Sequence, residues 1–494
     1  WRKLYDRENL KRLEEQIQEG IRTKTNFTWA IHPFINDPLK ESTFEKDLGD
    51  ILAKFEQVYN AGCRQFMVSG DDAIIDGVLG DNGELAPDYK EKNLAYAQMQ
   101  NRVLNRIAQW LKEKGDCSDL LFVPGAYCYQ AESNLYVFNC EYYFRGLIFG
   151  DDGQVANCKT YLDETIQIMW TGNNICSRLS GSKLDEFIEY CDGRKPFIWM
   201  NWPVNDFSPD VIRLGPGEVY DEIYQDTEDA KITSVVANLM LEGESSKFGM
   251  FACTDYCWNT RDFDSQKSFK DSIKYIEPNT PDSLFEITEH LRNTWAKFDS
   301  NHFTEATELK GLIEGFSYAR SNGEDLTKSI NKLIAYFEKL VNSCDDYLMN
   351  CVNKNLLEEI KAWVKSIKYG ALSGIYYLKA IMAKDDRDEA MYYKKKGSSL
   401  YDLYTHQTIK SPNSATYNIK YVNVTPGLIV LKPFLDSLED LTNEFASLTG
   451  ITFTLEKYPG TDMLGPNTEY LRYTGIIGKA DYMLDGDLST SAYF

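Results

Sequence analysis

The sequence predicts an α/β protein: a (β/α)8 barrel whose first two strands are expected upstream of Trp1, followed by an α-helical bundle and a partial β-rich module. Three observations predict it. Helical and strand periodicities alternate over about the first 260 residues, as a parallel sheet with crossover helices requires. Polar and aromatic residues crowd the C-terminal ends of the predicted strands, and no GxGxxG or GxxxxGK follows any of them. This favours a barrel whose site draws on many strands. From about residue 282 the pattern turns to helices alone.

Six strands are expected, at residues 25–33 (TNFTWAIHP), 64–69 (RQFMVS), 119–127 (DLLFVPGAY), 166–172 (IQIMWTG), 195–203 (KPFIWMNWP) and 246–258 (SKFGMFACTDYCW). Between the first two, Leu48, Ile51, Leu52, Phe55, Val58 and Tyr59 recur at helical spacing, and Gly62 stands where a C-terminal cap is wanted. A helix from about residue 92 to 114 stops at Gly115. The bundle opens on a capping box, Ser283 to Glu286, with the stripe Leu284, Ile287, Leu291, Trp295. A second stripe follows at Leu326, Ile330, Leu333, Phe337 and Leu340, and helical spacing continues to about His406. From Ser411, β-rich runs such as TYNIKYVNV mix with Gly, Pro and Thr. The expected domains are therefore 1–280, 281–410 and 411–494.

Composition narrows the function classes. Hydrophobic residues make up 43% and charged residues 26% of the 494, ordinary for a globular protein. The 53 basic and 75 acidic side chains leave a formal charge of -22, which repels phosphate backbones and argues against a nucleic-acid partner. No apolar run approaches the ~20 residues that span a bilayer, so no membrane span is expected. The 11 cysteines are too sparse for a disulfide scaffold, and their odd number leaves at least one free or paired between chains. The closest pair, Cys253 with Cys257, is a weak metal signal, and the histidines His32, His290, His302 and His406 have no HxxxH or paired-cysteine context. The chain begins abruptly, without a signal peptide, so an upstream segment of the same protein is expected to complete the barrel.

The strand at 64–69 runs into Gly70, Asp71 and Asp72, placing two adjacent carboxylates where a parallel strand ends, the functional face of a barrel. In extended geometry their side chains point opposite ways, and mutual repulsion separates their proton affinities. One can act as an acid while the other stays charged. The plain alternative is a loop-turning Asp-Asp that caps the next helix. Pro124 to Tyr127, Trp170 to Gly172, Trp199 to Pro203 and Asp255 to Trp258 put tyrosine, tryptophan and amide groups around the same rim. Aromatic faces cover the apolar side of a pyranose while Asp, Asn and Tyr satisfy its hydroxyls, so this rim points to carbohydrate. Each aromatic taken singly is also explained by core packing.

HPF at residues 32–34, GDD at 70–72, VPxxY at 123–127, WTG at 170–172 and WMNWPVND at 199–206 together resemble glycoside hydrolase family 84. These are the retaining β-N-acetylglucosaminidases, including O-GlcNAcases and bacterial hexosaminidases. The resemblance covers roughly residues 1–300, and the bundle resembles the helical domain that follows in bacterial members. It implies substrate-assisted hydrolysis, in which the sugar's 2-acetamido oxygen attacks its own anomeric carbon to give an oxazoline. Asp71 would then orient the acetamide and accept its N–H, and Asp72 would protonate the leaving oxygen and later activate water. Tyr127 would donate to the acetamide oxygen and Trp199 would wall the pocket for its methyl group. Asn201 matches the family's asparagine in WxNxP, and Asp206 matches the aspartate that holds the outer hydroxyls. Asn238, in ANLMLE, matches the asparagine of the family's NPME segment, with Leu239 in place of its proline.

Gly70 stands where better-known members carry a bulky residue, a change expected to enlarge the pocket floor or shift the loop. The ending LDGDLSTSAYF resembles the opening of a discoidin-like carbohydrate-binding module, and its Asp485, Asp487 and Ser489 resemble part of a calcium loop. No cofactor or metal is expected in the site. The resemblance implies GlcNAc-containing glycans or glycoproteins as partners, and a secreted or cell-surface bacterial location. Two other readings stand beside it: a carbohydrate-binding pseudoenzyme, and a hexosaminidase directed at hyaluronan.

Overall fold

Side chains along a strand alternate between two faces, so a strand buried on both sides reads as a continuous apolar run. The computed structural model describes residues 1–80, 82–128, 138–152, 160–176, 179, 181–206, 208–227, 231–292, 305–410, 421–424 and 426–445. The chain divides into two units, Trp1–Pro278 with Thr294–Phe303, and Asn279–Asn293 with Thr304–Phe494.

In the first unit, β1 (Thr28–Ile31), β2 (Gln65–Ser69), β3 (Leu121–Val123), β4 (Gln167–Trp170), β5 (Phe197–Met200) and β6 (Ser234–Ala237) pair in parallel, each with its neighbour in sequence. The result is a curled six-stranded half-barrel. Phe66, Val68, Phe122, Ile168, Trp170, Ile198 and Met200 point into one large core, packed on α1 (Arg7–Thr23), α2 (Phe44–Asn60), α3 (Tyr89–Lys114), α4 (Cys140–Phe149), α5 (Gly181–Tyr190) and α6 (Glu218–Thr227). The intervening positions, Met67, Leu121, Val123, Met169, Phe197, Trp199 and Val236, share a smaller cluster on the opposite, inner face. Helix α3 stops as its sequence demands, because Gly115 takes the left-handed conformation (φ 78°) that other residues resist.

Residues 246–258 depart from the expected sixth strand. They belong to α7 (Gly243–Trp258), which buries Ser245, Ser246, Phe248, Gly249, Ala252 and Tyr256 at helical spacing. An apolar run of that length exceeds an ordinary strand, and the helical period wins once one face has a sheet to pack on. The sixth strand is instead SVVA, which pairs Ser234 through Ala237 with Phe197 through Met200.

In the first unit α8 (Ser265–Ile276) follows α7; the second unit contains α9 (Pro281–Thr288), α10 (Thr307–Ser321), α11 (Thr327–Asn350), α12 (Lys354–Met382) and α13 (Arg387–Thr405). Short antiparallel strands follow at Thr408–Lys410 and Tyr421–Asn423, and then a helix at Leu431–Asn443. Ile330, Leu333, Phe337 and Leu340 are buried as their stripe requires. Phe434 of the last helix stands 6.1 Å from the Phe316 ring and 6.4 Å from that of Phe337, so this helix packs into the bundle. The expected capping box does not form. Ser283 Oγ donates to Asp346 at 2.6 Å and Glu286 pairs with Lys339, because both side chains meet α11 instead of closing on their own first turn. Trp295 and the calcium-like residues 485–489 lie outside the described residues. No described helix is long and apolar enough to cross a membrane.

Close helix packing yields a stability prediction. A Cβ added at Gly374 of α12 would sit 2.6 Å from Phe337 Cε2, inside contact distance. Gly374→Ala is therefore expected to destabilise this unit by about 1–3 kcal/mol. The measurement is its urea midpoint, and an unchanged midpoint would show that Phe337 can yield.

Candidate active site

The acids sit where β2 ends. Gly70 N–H donates to the Val123 carbonyl at 2.7 Å, tying the exit of β2 to β3. A Cβ at Gly70 would lie 2.8 Å from Gln100 Nε2, 3.1 Å from Val123 O and 3.3 Å from the Phe122 ring. Those neighbours belong to the helix-facing layer, so the absent side chain leaves room for α3 and β3 and does not enlarge a pocket floor. The chain then turns. Asp72 adopts φ 53°, so the two acids are not the extended neighbours the sequence alone would suggest. Neither caps the next helix, α3, whose N-cap is Asp88.

The turn gives the two carboxyls different surroundings. Asp71 is partly buried, and its Oδ1 has no hydrogen-bond partner among the described residues. Burial raises its proton affinity above the ordinary carboxylate range; His32, whose Nε2 lies 3.8 Å from Oδ1, opposes the rise, and the Asp72 charge adds to it. Asp72 is exposed, and its Oδ1 accepts the Tyr127 hydroxyl at 3.1 Å. Tyr127 follows β3 and packs in the inner-face cluster with Trp199. Its carbonyl accepts from Thr171 N–H at 2.8 Å, which joins the exits of β3 and β4.

A second group gathers at the ends of β5 and β6. Trp199 Nε1 donates to Asn201 Oδ1 at 2.9 Å, Asn238 Nδ2 donates to the same oxygen at 2.8 Å, and Asn201 Nδ2 donates to the Ile175 carbonyl at 2.6 Å. Asn201 thus acts as a bracket that sets the Trp199 ring. Asp206 is exposed on the following loop, where its charge is felt by Cys176 and by the buried Arg213 guanidinium. Burial pulls Arg213 down to about 10, with Cys176, Asp206 and Asp210 opposing.

The rim of aromatics is thinner than expected. Trp170 is buried on the helix-facing side, 5.2 Å from the Phe187 ring, and Trp202 is buried 6.0 Å from Tyr220. Both are core. Trp258 is 90% exposed at the C-terminal end of α7 and lies on a helix, not at the end of a strand. Strand alternation turns Trp199 inward between the outward Ile198 and Met200, as it turns Met169 inward and Trp170 outward, and Tyr127, beyond the end of β3, joins the same inner cluster.

Two residues at the site escaped sequence reasoning. His32, passed over for want of a metal-ligand spacing, contacts Asp71 directly. Its place just after a strand, in HPF, was the available signal. Asn205, fully buried, donates to Val211 O and Glu242 Oε2 and accepts from Leu241 N–H, fastening the loop after β5 to the exit of β6.

Comparison with known proteins agrees with this architecture. The family profile described as beta-N-acetylglucosaminidase matches residues 1–289, and one described as hyaluronidase post-catalytic domain-like matches residues 308–415. Protein O-GlcNAcase of Rattus norvegicus is 27% identical over 220 residues, and that of Mus musculus 27% over 219. Each match covers 44% of this chain and 21% of the relative, so the chain spans about a fifth of the length of these curated relatives. The solved structure of CpGH84D matches with a TM-score of 0.73 at 30% identity, over 90% of this chain and 67% of that one. An O-GlcNAc hydrolase of Thermobaculum terrenum shares the fold, with a TM-score of 0.68 at 16% identity over 90% of this chain and 85% of that one. The profile match over more than half the chain, on a half-barrel carrying the acid pair at a strand end, assigns the chain to the β-N-acetylglucosaminidases of glycoside hydrolase family 84.

Proposed function

We propose that the protein is a retaining exo-β-N-acetylglucosaminidase that removes terminal β-linked GlcNAc from glycans or glycoproteins by substrate assistance. The observation that carries this reading is the unequal acid pair on one turn: Asp71 partly buried with an open Oδ1, Asp72 exposed and joined to Tyr127. An enzyme nucleophile and an acid must flank the glycosidic bond from two sides, about 5 Å or more apart, which suits acids on separate strands better than consecutive residues. Consecutive acids suit a sugar that supplies its own nucleophile.

The steps then follow. Asp71 Oδ1 accepts the acetamide N–H, and its negative charge stabilises the positive charge that spreads over the closing ring. The acetamide oxygen bonds to C1 as the bond to the aglycone oxygen breaks, and Asp72 delivers its proton to that oxygen. Water then attacks C1, Asp72 takes its proton, and the ring reopens. As the sugar binds, the Tyr127 hydroxyl turns from Asp72 to donate to the acetamide oxygen, Trp199 walls the methyl group, Asp206 holds the outer hydroxyls, and Asn238 lines the sugar site beside Asn201.

The test uses 4-nitrophenyl β-GlcNAc with the full-length protein. Free GlcNAc is expected to appear first as the β-anomer, and the rate to fall stepwise as fluorine replaces the N-acyl hydrogens, because the attacking oxygen loses basicity. An α-anomer product or a flat fluorine series would overturn the mechanism. Binding without phenol release would favour the carbohydrate-binding pseudoenzyme.

A further inference from the structure

We propose that His32 is a positioning residue for the acid pair: its ring nitrogen holds the Asp71 carbonyl and thereby fixes the turn that directs both carboxylates. The catalytic purpose of this clamp rests on the hydrolase reading above; its existence does not.

The ring is held at both nitrogens. Nε2 lies 2.6 Å from the Asp71 carbonyl oxygen, which can only accept, so Nε2 carries the proton. Phe34 N–H points at Nδ1 at 3.4 Å, so Nδ1 is the acceptor. The two contacts select the Nε2–H tautomer and set the ring plane. Phe34 backs the ring edge-on at 6.4 Å and is itself buried 6.0 Å from the Tyr96 ring. His32 follows β1 and Asp71 follows β2, so the clamp joins the ends of two paired strands.

The turn needs such a clamp. Asp72 at φ 53° occupies the left-handed region, which aspartate enters more readily than most non-glycine residues but still at some cost in free energy, so contacts that hold the turn there keep it in place. Two hydrogen bonds bracket it upstream: Gly70 N–H to Val123 O at 2.7 Å and His32 Nε2 to Asp71 O at 2.6 Å. The first anchors the strand, and the second fixes the peptide between the two acids. Releasing that peptide lets Asp72 relax and swings its carboxylate relative to Tyr127, while the strands stay paired. A positioning error of about 1 Å is enough to cost turnover heavily.

The experiment compares His32→Leu and His32→Gln with wild type. The glutamine amide can donate from nearly the position of Nε2, and leucine cannot. His32→Leu is expected to lower kcat on the order of 10–100-fold with KM held within about 3-fold. His32→Gln restores kcat to within about 5-fold of wild type, since one donor to the carbonyl suffices. A merely structural role would not give that split or that rescue. Independently of activity, 15N NMR of the four histidines, with His32 assigned from the glutamine variant, is expected to place its proton on Nε2. Wild-type kcat in His32→Leu, or a proton on Nδ1, overturns the proposal. If the leucine variant fails to fold, the glutamine variant's kcat and the wild-type tautomer decide. A wild-type protein that releases no phenol overturns the hydrolase reading instead, and the tautomer then decides whether the clamp exists.

Discussion

Asp72→Asn is expected to lower kcat/KM on alkyl β-GlcNAc substrates by about 10²–10⁴-fold, the range that general acid catalysis supplies. The substitution is clean. Asparagine tolerates the left-handed conformation that Asp72 adopts and keeps an Oδ1 to receive the Tyr127 hydroxyl, so the turn is preserved and only the transferable proton is lost. The loss depends on the aglycone. A 2,4-dinitrophenyl group departs without a proton and so recovers much of the first step, whereas hydrolysis of the oxazoline still lacks its base. Asp72→Ala is expected to flatten the alkaline limb of the pH–rate profile for the same reason. A leaving-group series measures the effect, and equal losses for alkyl and dinitrophenyl substrates would remove Asp72 from the acid role.

Asp71→Asn is expected to lower kcat by about 10²–10³-fold, the cost of removing one preorganised stabiliser of developing charge. It should also raise the melting temperature at neutral pH. Burial, partly offset by His32 and reinforced by Asp72, lifts the Asp71 proton affinity in the folded state. Across the window between the ordinary carboxylate value and that raised value, the folded protein binds more protons than the unfolded chain. Stability therefore falls as pH rises through this window, and at pH 7 the ionised, partly buried carboxylate is a net liability. A neutral amide removes the penalty while leaving the His32 bond, which goes to the backbone carbonyl, in place. Stability and activity are set against each other at this residue. The same shift moves the acidic limb of the wild-type profile above that of an ordinary carboxylate. Calorimetry at pH 7 and a pH–rate profile check both, and a melting temperature that drops in Asp71→Asn would contradict the assigned electrostatics.

The acid pair was legible because a local pattern betrays it: a short apolar strand, then glycine, then two carboxylates at the end where barrels carry chemistry. Tyr127 and Trp199 were legible for the same reason, as they follow or occupy strands that read clearly. Residues 246–258 were not. Phe248, Ala252 and Tyr256 mark a helical face, yet the unbroken apolar character of the run also fits a buried strand, and the short SVVA carries little signal of its own. Ser283 and Glu286 fit a capping box locally, but Asp346 and Lys339 of another helix offered them nearer partners.

Periodicity, caps and turn chemistry are properties of neighbours along the chain, and they sufficed to determine an alternating α/β half followed by a helical half, with two acids at a strand end. Which face each tryptophan takes, that Asn201 receives both Trp199 and Asn238, and that His32 closes on the Asp71 carbonyl depend on strands brought side by side across whole crossover helices. Parallel pairing joins residues dozens of positions apart, and the register that aligns them is decided by packing on both faces of the sheet at once. No local window contains that information, so the direction of the two carboxylates is a tertiary property of the fold.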